Sequence, residues 1–196
     1  LADILQSGGL RKGLPPHSIQ FIATTDHEAV RELVQLEGRV DLVIPRGGEA
    51  LIRAVTEQAR VPVIKHYKGI CHAYVDESAD PAKALDIIEN GKCSRPGVCN
   101  ALEKVLIHQK IAPEFLPRLI ERLAGRRVEL RGDEAARVLA PELAPAQPAD
   151  WDQEYLDLTL TVGLVPSLDA AIAHINRHGS HHSDTILAES KKAQDV

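Results

Sequence analysis

Methionine is absent from the 196 residues, even at position 1, and aromatics are scarce, with one Trp, three Tyr and two Phe. A chain that opens at Leu1 without an initiator methionine is expected to be part of something longer. No apolar run approaches the ~20 residues that a bilayer-spanning helix needs, which excludes a protein anchored by such helices. The N-terminal string LADILQSGGLRKG lacks a basic start, an apolar centre and a small-residue cleavage site, so it does not read as a signal peptide. Cysteine is limited to Cys71, Cys93 and Cys99, too few and odd in number for a secreted disulfide framework, and a reducing, cytoplasmic setting is expected. Basic charge is also short. Lys and Arg total 23 against 28 Asp and Glu, a net −5 that argues against a general nucleic-acid surface.

What is present is the profile of a soluble globular chain, 44% hydrophobic and 26% charged, long enough for one large domain or two small ones. Short apolar runs alternate with helical periodicity. Ser18–Ala23, Val40–Ile44, Val61–His66 and Ala73–Val75 read as buried strands. Helices are expected at His27–Glu37, Glu49–Arg60 and Pro81–Asn90, the last capped by Asp80. Beyond Lys92 the pattern continues with strands at Val105–His108, Val128–Leu130, Leu158–Val165 and Thr185–Ala188. Helices are expected there at Pro113–Leu123, Glu134–Leu139 and Asp169–Asn176, the last capped by Ser167 or Asp169. The proline-rich Ala140–Ala149 is expected to be a loop. Strand–helix–strand alternation is the signature of an α/β protein with a parallel sheet.

Several segments could carry chemistry. Arg46-Gly47-Gly48 closes a strand and opens a helix; it could admit a phosphate to free helix amides, and it reads equally as a tight connection. Cys99 follows a Pro-Gly turn, and Lys92 and Arg95 nearby would favour its thiolate, although free cysteines also serve as core filler. Cys71 reads as filler, and Cys93 stays open. The spacings of Cys71-His72 and Cys93…Cys99 fit no common zinc module, so no metal is expected. His178, His181 and His182 surround Gly179-Ser180 in a polar turn that is either solvated or able to hold an anionic substrate group. Glu154 precedes the strongest strand of the second half and reads as a surface residue on local grounds alone.

Five strings in order carry a more specific likeness. Val40–Gly48, Pro62–His66 with Gly69–Asp76, Arg95–Ala101, Asp150–Leu156, and His174–Ser180 with His182-Ser183-Asp184 resemble the γ-glutamyl phosphate reductase (glutamate-5-semialdehyde dehydrogenase) family of the aldehyde dehydrogenase superfamily. The resemblance covers nearly the whole chain. It implies an aldehyde dehydrogenase-like α/β fold, with part of a Rossmann-like NADP-binding domain over residues 1–90 and a catalytic α/β domain over 91–196, both incomplete. It implies NADPH-dependent reduction of L-glutamyl 5-phosphate to L-glutamate 5-semialdehyde, the second step of proline biosynthesis. Cys99 then matches the nucleophile, while Arg46, Gly47, Gly48 and Glu154 fall on the cofactor side, Glu154 at the nicotinamide ribose. Asn100 and His182 fall on the substrate side. Where hydrolytic members carry a Glu-Leu-Gly-Gly-Lys string, this chain has His66-Tyr67-Lys68-Gly69-Ile70, without the water-activating glutamate. Segments of the family expected before Leu1 and after Val196 are missing, so the piece alone is expected to be inactive and the full-length protein a homo-oligomer. Another acylating aldehyde dehydrogenase, or a non-catalytic interaction module, are the alternatives.

Overall fold

From Cys71 onward the apolar runs pair into one parallel sheet in a computed structural model that describes residues 1–195. The elements in order are β1 (Cys71–Val75), α4 (Pro81–Cys93), β2 (Leu102–His108), α5 (Ala112–Ala124), β3 (Glu129–Gly132), α6 (Glu134–Leu139), β4 (Ala144–Pro145), a 3₁₀ turn (Pro148–Asp152), β5 (Thr159–Val165), α7 (Leu168–His178), β6 (Asp184–Leu187) and α8 (Lys191–Gln194). Before them lie α1 (Ala2–Arg11), α2 (His27–Leu33) and α3 (Glu49–Gln58). The six strands run in the order β4-β3-β5-β2-β1-β6, each parallel to its neighbours.

Alternation along the strands sends residues to two faces. Val75, Val105, Ile107, Leu160 and Val162 face α4, α5 and α6, where Ile88, Phe115, Leu116, Leu119 and Leu123 close the main core. Tyr74, Leu106 and Val165 face Ala171 of α7, with Trp151 alongside. The helices begin where the side chains dictate: Asp80 accepts from the Ala82 and Lys83 amides ahead of α4, Asp133 from Ala136 ahead of α6, and Ser167 from Ala170 ahead of α7. Ser167, not Asp169, is thus the cap of α7.

The chain divides into two compact units, Leu1–Lys65 and a second from His66. The division falls ahead of the Asn90 boundary expected from the sequence, because β1 pairs with β2 and α4 packs on α5, tying residues 71–93 to the later sheet. Within the first unit, Val34, Ile52, Val55 and Val61 are buried.

Here three expected strands do not form. Ser18–Ala23 has no ladder among the described residues, and Phe21 and Ile22 stand 75% and 52% exposed. Val40–Ile44 and Val61–His66 reduce to a single parallel bridge, Val43↔Val63, made by Val43 N to Pro62 O and Ile64 N to Val43 O. An apolar run becomes a strand only when a neighbour takes its amides and carbonyls. Conversely, α1 was not expected, since it carries two glycines and no side-chain cap. The expected Ala140–Ala149 loop contributes β4 to the sheet edge through Ala146 N to Gly132 O. Among the described residues no helix is long and apolar enough to cross a membrane.

Candidate active site

Parallel strands that are neighbours bring together the segments that enter them. Glu154 precedes β5, Cys99 precedes β2, Gly69 precedes β1, and Ser180 and His182 precede β6; the strand order β5-β2-β1-β6 therefore lines up four segments far apart in sequence at the amino-terminal edge of the sheet.

The contacts there are close. A Cβ on Gly69 would fall 1.7 Å from the Cys99 carbonyl oxygen and 2.9 Å from its Cα, so only glycine lets the two backbones meet. The Gly69 amide donates to Glu154 Oε1 at 2.8 Å, and the next amide, Ile70 N, donates to Ser180 Oγ at 2.9 Å. The Cys71 thiol donates to the Cys99 carbonyl at 3.4 Å and lies 4.0 Å from His182 Nδ1. His182 Nδ1 is 2.8 Å from Ser183 Oγ, and its ring meets His66 edge-on with centroids 4.3 Å apart. Cys99 itself is half-buried in the loop between α4 and β2, shaped by Val98 N to Arg95 O and Ala101 N to Val98 O; Asn100 beside it is exposed.

Burial sets the state of two of the thiols. Burial, reinforced by the Asp184 carboxylate, pushes the Cys71 thiol up to about 11, so it stays protonated at neutral pH. Burial, then Glu89, also pushes Cys93 up. Neither is poised as a nucleophile. Burial, then the neighbouring His66 ring, holds His182 below the ordinary histidine range, which keeps its imidazole neutral and able to accept a proton. The arrangement thus offers one half-buried thiol at a turn, a carboxylate locked onto the adjacent backbone, and a neutral imidazole 4.0 Å from the Cys71 thiol.

Of the residues singled out from the sequence, Cys99, Glu154 and His182 converge within the second unit, with Asn100 next to Cys99. Arg46, Gly47 and Gly48 belong to the first unit. They are exposed, and Gly48 is the N-cap of α3 without a side chain to cap it. A Cβ on Gly47 would come within 2.6 Å of Leu51 Cδ2, and one on Gly48 would meet nothing within 4 Å. Sequence reasoning missed Gly69, whose requirement becomes visible only beside Cys99; Cys71, read as filler, is buried, and its thiol also touches the Cys99 peptide.

The aldehyde dehydrogenase family model matches residues 1–196. The chain is 51% identical over 186 residues to a γ-glutamyl phosphate reductase from Meiothermus ruber, covering 95% of this chain and 44% of the relative. It is 49% identical over 189 residues to a γ-glutamyl phosphate reductase from Xanthomonas axonopodis pv. citri, covering 96% and 46%. The chain therefore spans about half the length of the curated relatives it matches. Among solved structures, γ-glutamyl phosphate reductase from Thermotoga maritima superposes with a TM-score of 0.89 at 43% identity, covering 99% of this chain and 47% of that one. A propionaldehyde dehydrogenase from Clostridium phytofermentans shares the fold, with a TM-score of 0.72 at 16% identity.

Proposed function

The chain belongs to the aldehyde dehydrogenase family, and from that premise we propose that it carries the nucleophile-bearing part of a γ-glutamyl phosphate reductase, which reduces L-glutamyl 5-phosphate to L-glutamate 5-semialdehyde in the second step of proline biosynthesis. The observation that carries this reading is the meeting of Cys99, Gly69 and Glu154: the Gly69 backbone lies against the Cys99 peptide while its amide is held by Glu154. Similarity to γ-glutamyl phosphate reductases at 51% and 49% identity supports the choice of substrate.

The chemistry follows from the residues. The Cys99 thiolate attacks the acyl carbon of the acyl phosphate, and the carbon–oxygen bond to phosphate breaks, leaving a thioester on Cys99. Phosphate is a good leaving group and needs little acid assistance. NADPH, when bound, supplies the hydride that reduces the thioester carbonyl. Collapse of the resulting hemithioacetal releases the aldehyde and returns Cys99 as thiolate. His66-Tyr67-Lys68-Gly69-Ile70 carries no carboxylate to activate water, which suits a reductase that must keep its thioester from hydrolysis. Asn100 and His182 serve the substrate side.

Each unit, taken by itself, holds residues whose chemistry a dinucleotide can use. α3 begins at Gly48, with open space where a side chain would sit and Arg46 two residues before, and the positive end of its dipole suits a phosphate. Glu154 spends one oxygen on Gly69 and keeps acceptor capacity on its carboxylate for ribose hydroxyls. The same reading gives a small-molecule substrate, NADP as cofactor, a cytoplasmic setting and a homo-oligomer at full length, with no nucleic-acid or membrane partner. Alkylation with iodoacetamide at neutral pH, read by peptide mass spectrometry, tests it. Cys99 should react at least tenfold faster than Cys71 or Cys93, and NADP⁺ should slow that reaction. Equal, slow labelling of all three thiols would remove Cys99 from its role.

A further inference from the structure

Three charged side chains lie buried behind this site and take no part in the chemistry above. Lys92 of α4 and Lys104 of β2 are 0% exposed, and Glu103 is 1% exposed. Buried ions persist only with partners, so where they spend their charge reveals what they hold. Glu103 Oε2 accepts from Tyr155 N at 3.2 Å and Oε1 from Leu156 N at 3.4 Å, while Lys92 Nζ sits 3.4 Å from Oε2. Lys104 Nζ donates to the Gln153 carbonyl at 2.7 Å and lies 4.2 Å from the centre of the Tyr155 ring. These contacts land on residues 153, 155 and 156, the flanks of Glu154. Tyr155 is held from its other end as well, since its hydroxyl donates to Asp150 Oδ1 at 2.9 Å and sits 2.7 Å from Thr161 Oγ1.

We propose that Lys92, Glu103 and Lys104 are positioning residues that clamp segment 153–156, so that Glu154 keeps its grip on the Gly69 amide and Gly69 stays against the Cys99 peptide. The clamp rests on the reading of Cys99 and Glu154 given above and extends it to three residues that touch neither substrate nor cofactor. The route is short: Glu103 and Lys104 fix the backbone on both sides of Glu154, Glu154 Oε1 holds Gly69 N, and Gly69 abuts Cys99. Glu103 and Lys104 follow Cys99 by only four and five residues, so the strand that bears the clamp also leads out of the nucleophile loop. A buried ion pair replaced by apolar residues of similar volume often leaves stability unchanged. A pair kept here for geometry should therefore be separable from one kept for stability.

Amide hydrogen exchange on the whole 196-residue chain, without substrate or cofactor, tests the clamp. The double variant Lys92→Met/Glu103→Leu should keep its thermal midpoint near the parent's, yet exchange at Tyr155, Leu156 and Gly69 should each rise about tenfold or more, the size of a lost charge-assisted hydrogen bond. Restoring an acceptor with Lys92→Met/Glu103→Gln should bring Gly69 back to within about threefold of the parent. Loss of protection at Tyr155 and Leu156 with Gly69 unchanged would overturn the proposal. Lys104→Met releases the Gln153 carbonyl and the Tyr155 ring but leaves Glu103 on the Tyr155 and Leu156 amides, and it provides an independent test if the apolar pair does not fold. Gly69 exchange should rise at least threefold in that variant, and unaltered protection there overturns the clamp. A chain whose Cys99 proves inert to alkylation would sink the proposed reaction instead, without touching these exchange rates.

Discussion

At the scale of single residues, Gly69 and His174 make the sharpest statements. An alanine methyl at Gly69 would fall 1.7 Å from the Cys99 carbonyl oxygen, far inside contact distance, so a backbone must move. Gly69→Ala should cost about 2–3 kcal/mol, as overpacking in a close contact does, read as a lowered urea midpoint; a midpoint equal to the parent's would contradict the close approach. His174 lies beside Trp151 and His178, each with ring centroids 4.7 Å away, and its buried Nε2 has no hydrogen-bond partner among the described residues. Burial, then His178 and His72, pushes its pKa down to about 4. The unfolded chain takes up a proton near pH 6.5 while the folded chain resists until about 4. This contribution is therefore present above pH 6.5 and lost as pH falls from there toward 4. In His174→Phe the decline of stability across that window should flatten, seen in urea midpoints at pH 7, 5.5 and 4.5. Cys99 could be singled out as a candidate because its Pro-Gly turn and neighbouring residues form a recognisable string. Gly69 was not, since a glycine's necessity lies in the neighbour it approaches, here 30 positions away.

At the scale of elements, the helices α2 to α7 were readable and the early strands were not, for one physical reason. A helix satisfies its own backbone, so periodicity suffices: in α5, which has no side-chain cap, Phe115, Leu116, Leu119 and Leu123 form one buried stripe despite Pro117 within the helix. Leu119 is 0% exposed at the centre of that stripe, and Leu119→Ala should cost about 2–5 kcal/mol by transfer and cavity terms, measured by chemical denaturation. A loss under 1 kcal/mol would mean the site collapses around the missing methyls. Strands depend on partners that the local sequence does not name. Ser18–Ala23 has the β-branched and aromatic content of a strand and forms none, whereas Ala144–Pro145, in a segment with three prolines, joins an edge. Glu103 and Lys104 were equally hard to read. Adjacent charges inside a run such as LEKVLIH mark a strand buried on both faces only once the loop that they hold has been placed.

At the scale of the whole molecule, α/β alternation announced a parallel sheet, but the strand order needed the structure. Because β6 returns to the edge beside β1 and β5 inserts between β2 and β3, the segments bearing Glu154, Cys99, Gly69 and His182 become neighbours; in sequence they span 114 residues, from 69 to 182. The two units differ in how their backbones are satisfied, and local stability should follow. In the second, β2 pairs on both sides, with β1 and β5, and all seven of its residues are buried. In the first, the run 40–44 keeps one bridge, at Val43, and Leu42 and Ile44 are 44% and 69% exposed. Opening of an amide in β2 must break two ladders and uncover the core, whereas Leu42 and Ile44 need only local fluctuation. Hydrogen exchange should therefore be at least about a thousandfold faster at Leu42 and Ile44 than at Val105, Leu106 and Ile107, a gap well within the span between fraying and global opening. Equal protection in the two stretches would show that residues 40–44 are held by pairing beyond the single bridge, and that a strand expected from their apolar run does form in solution.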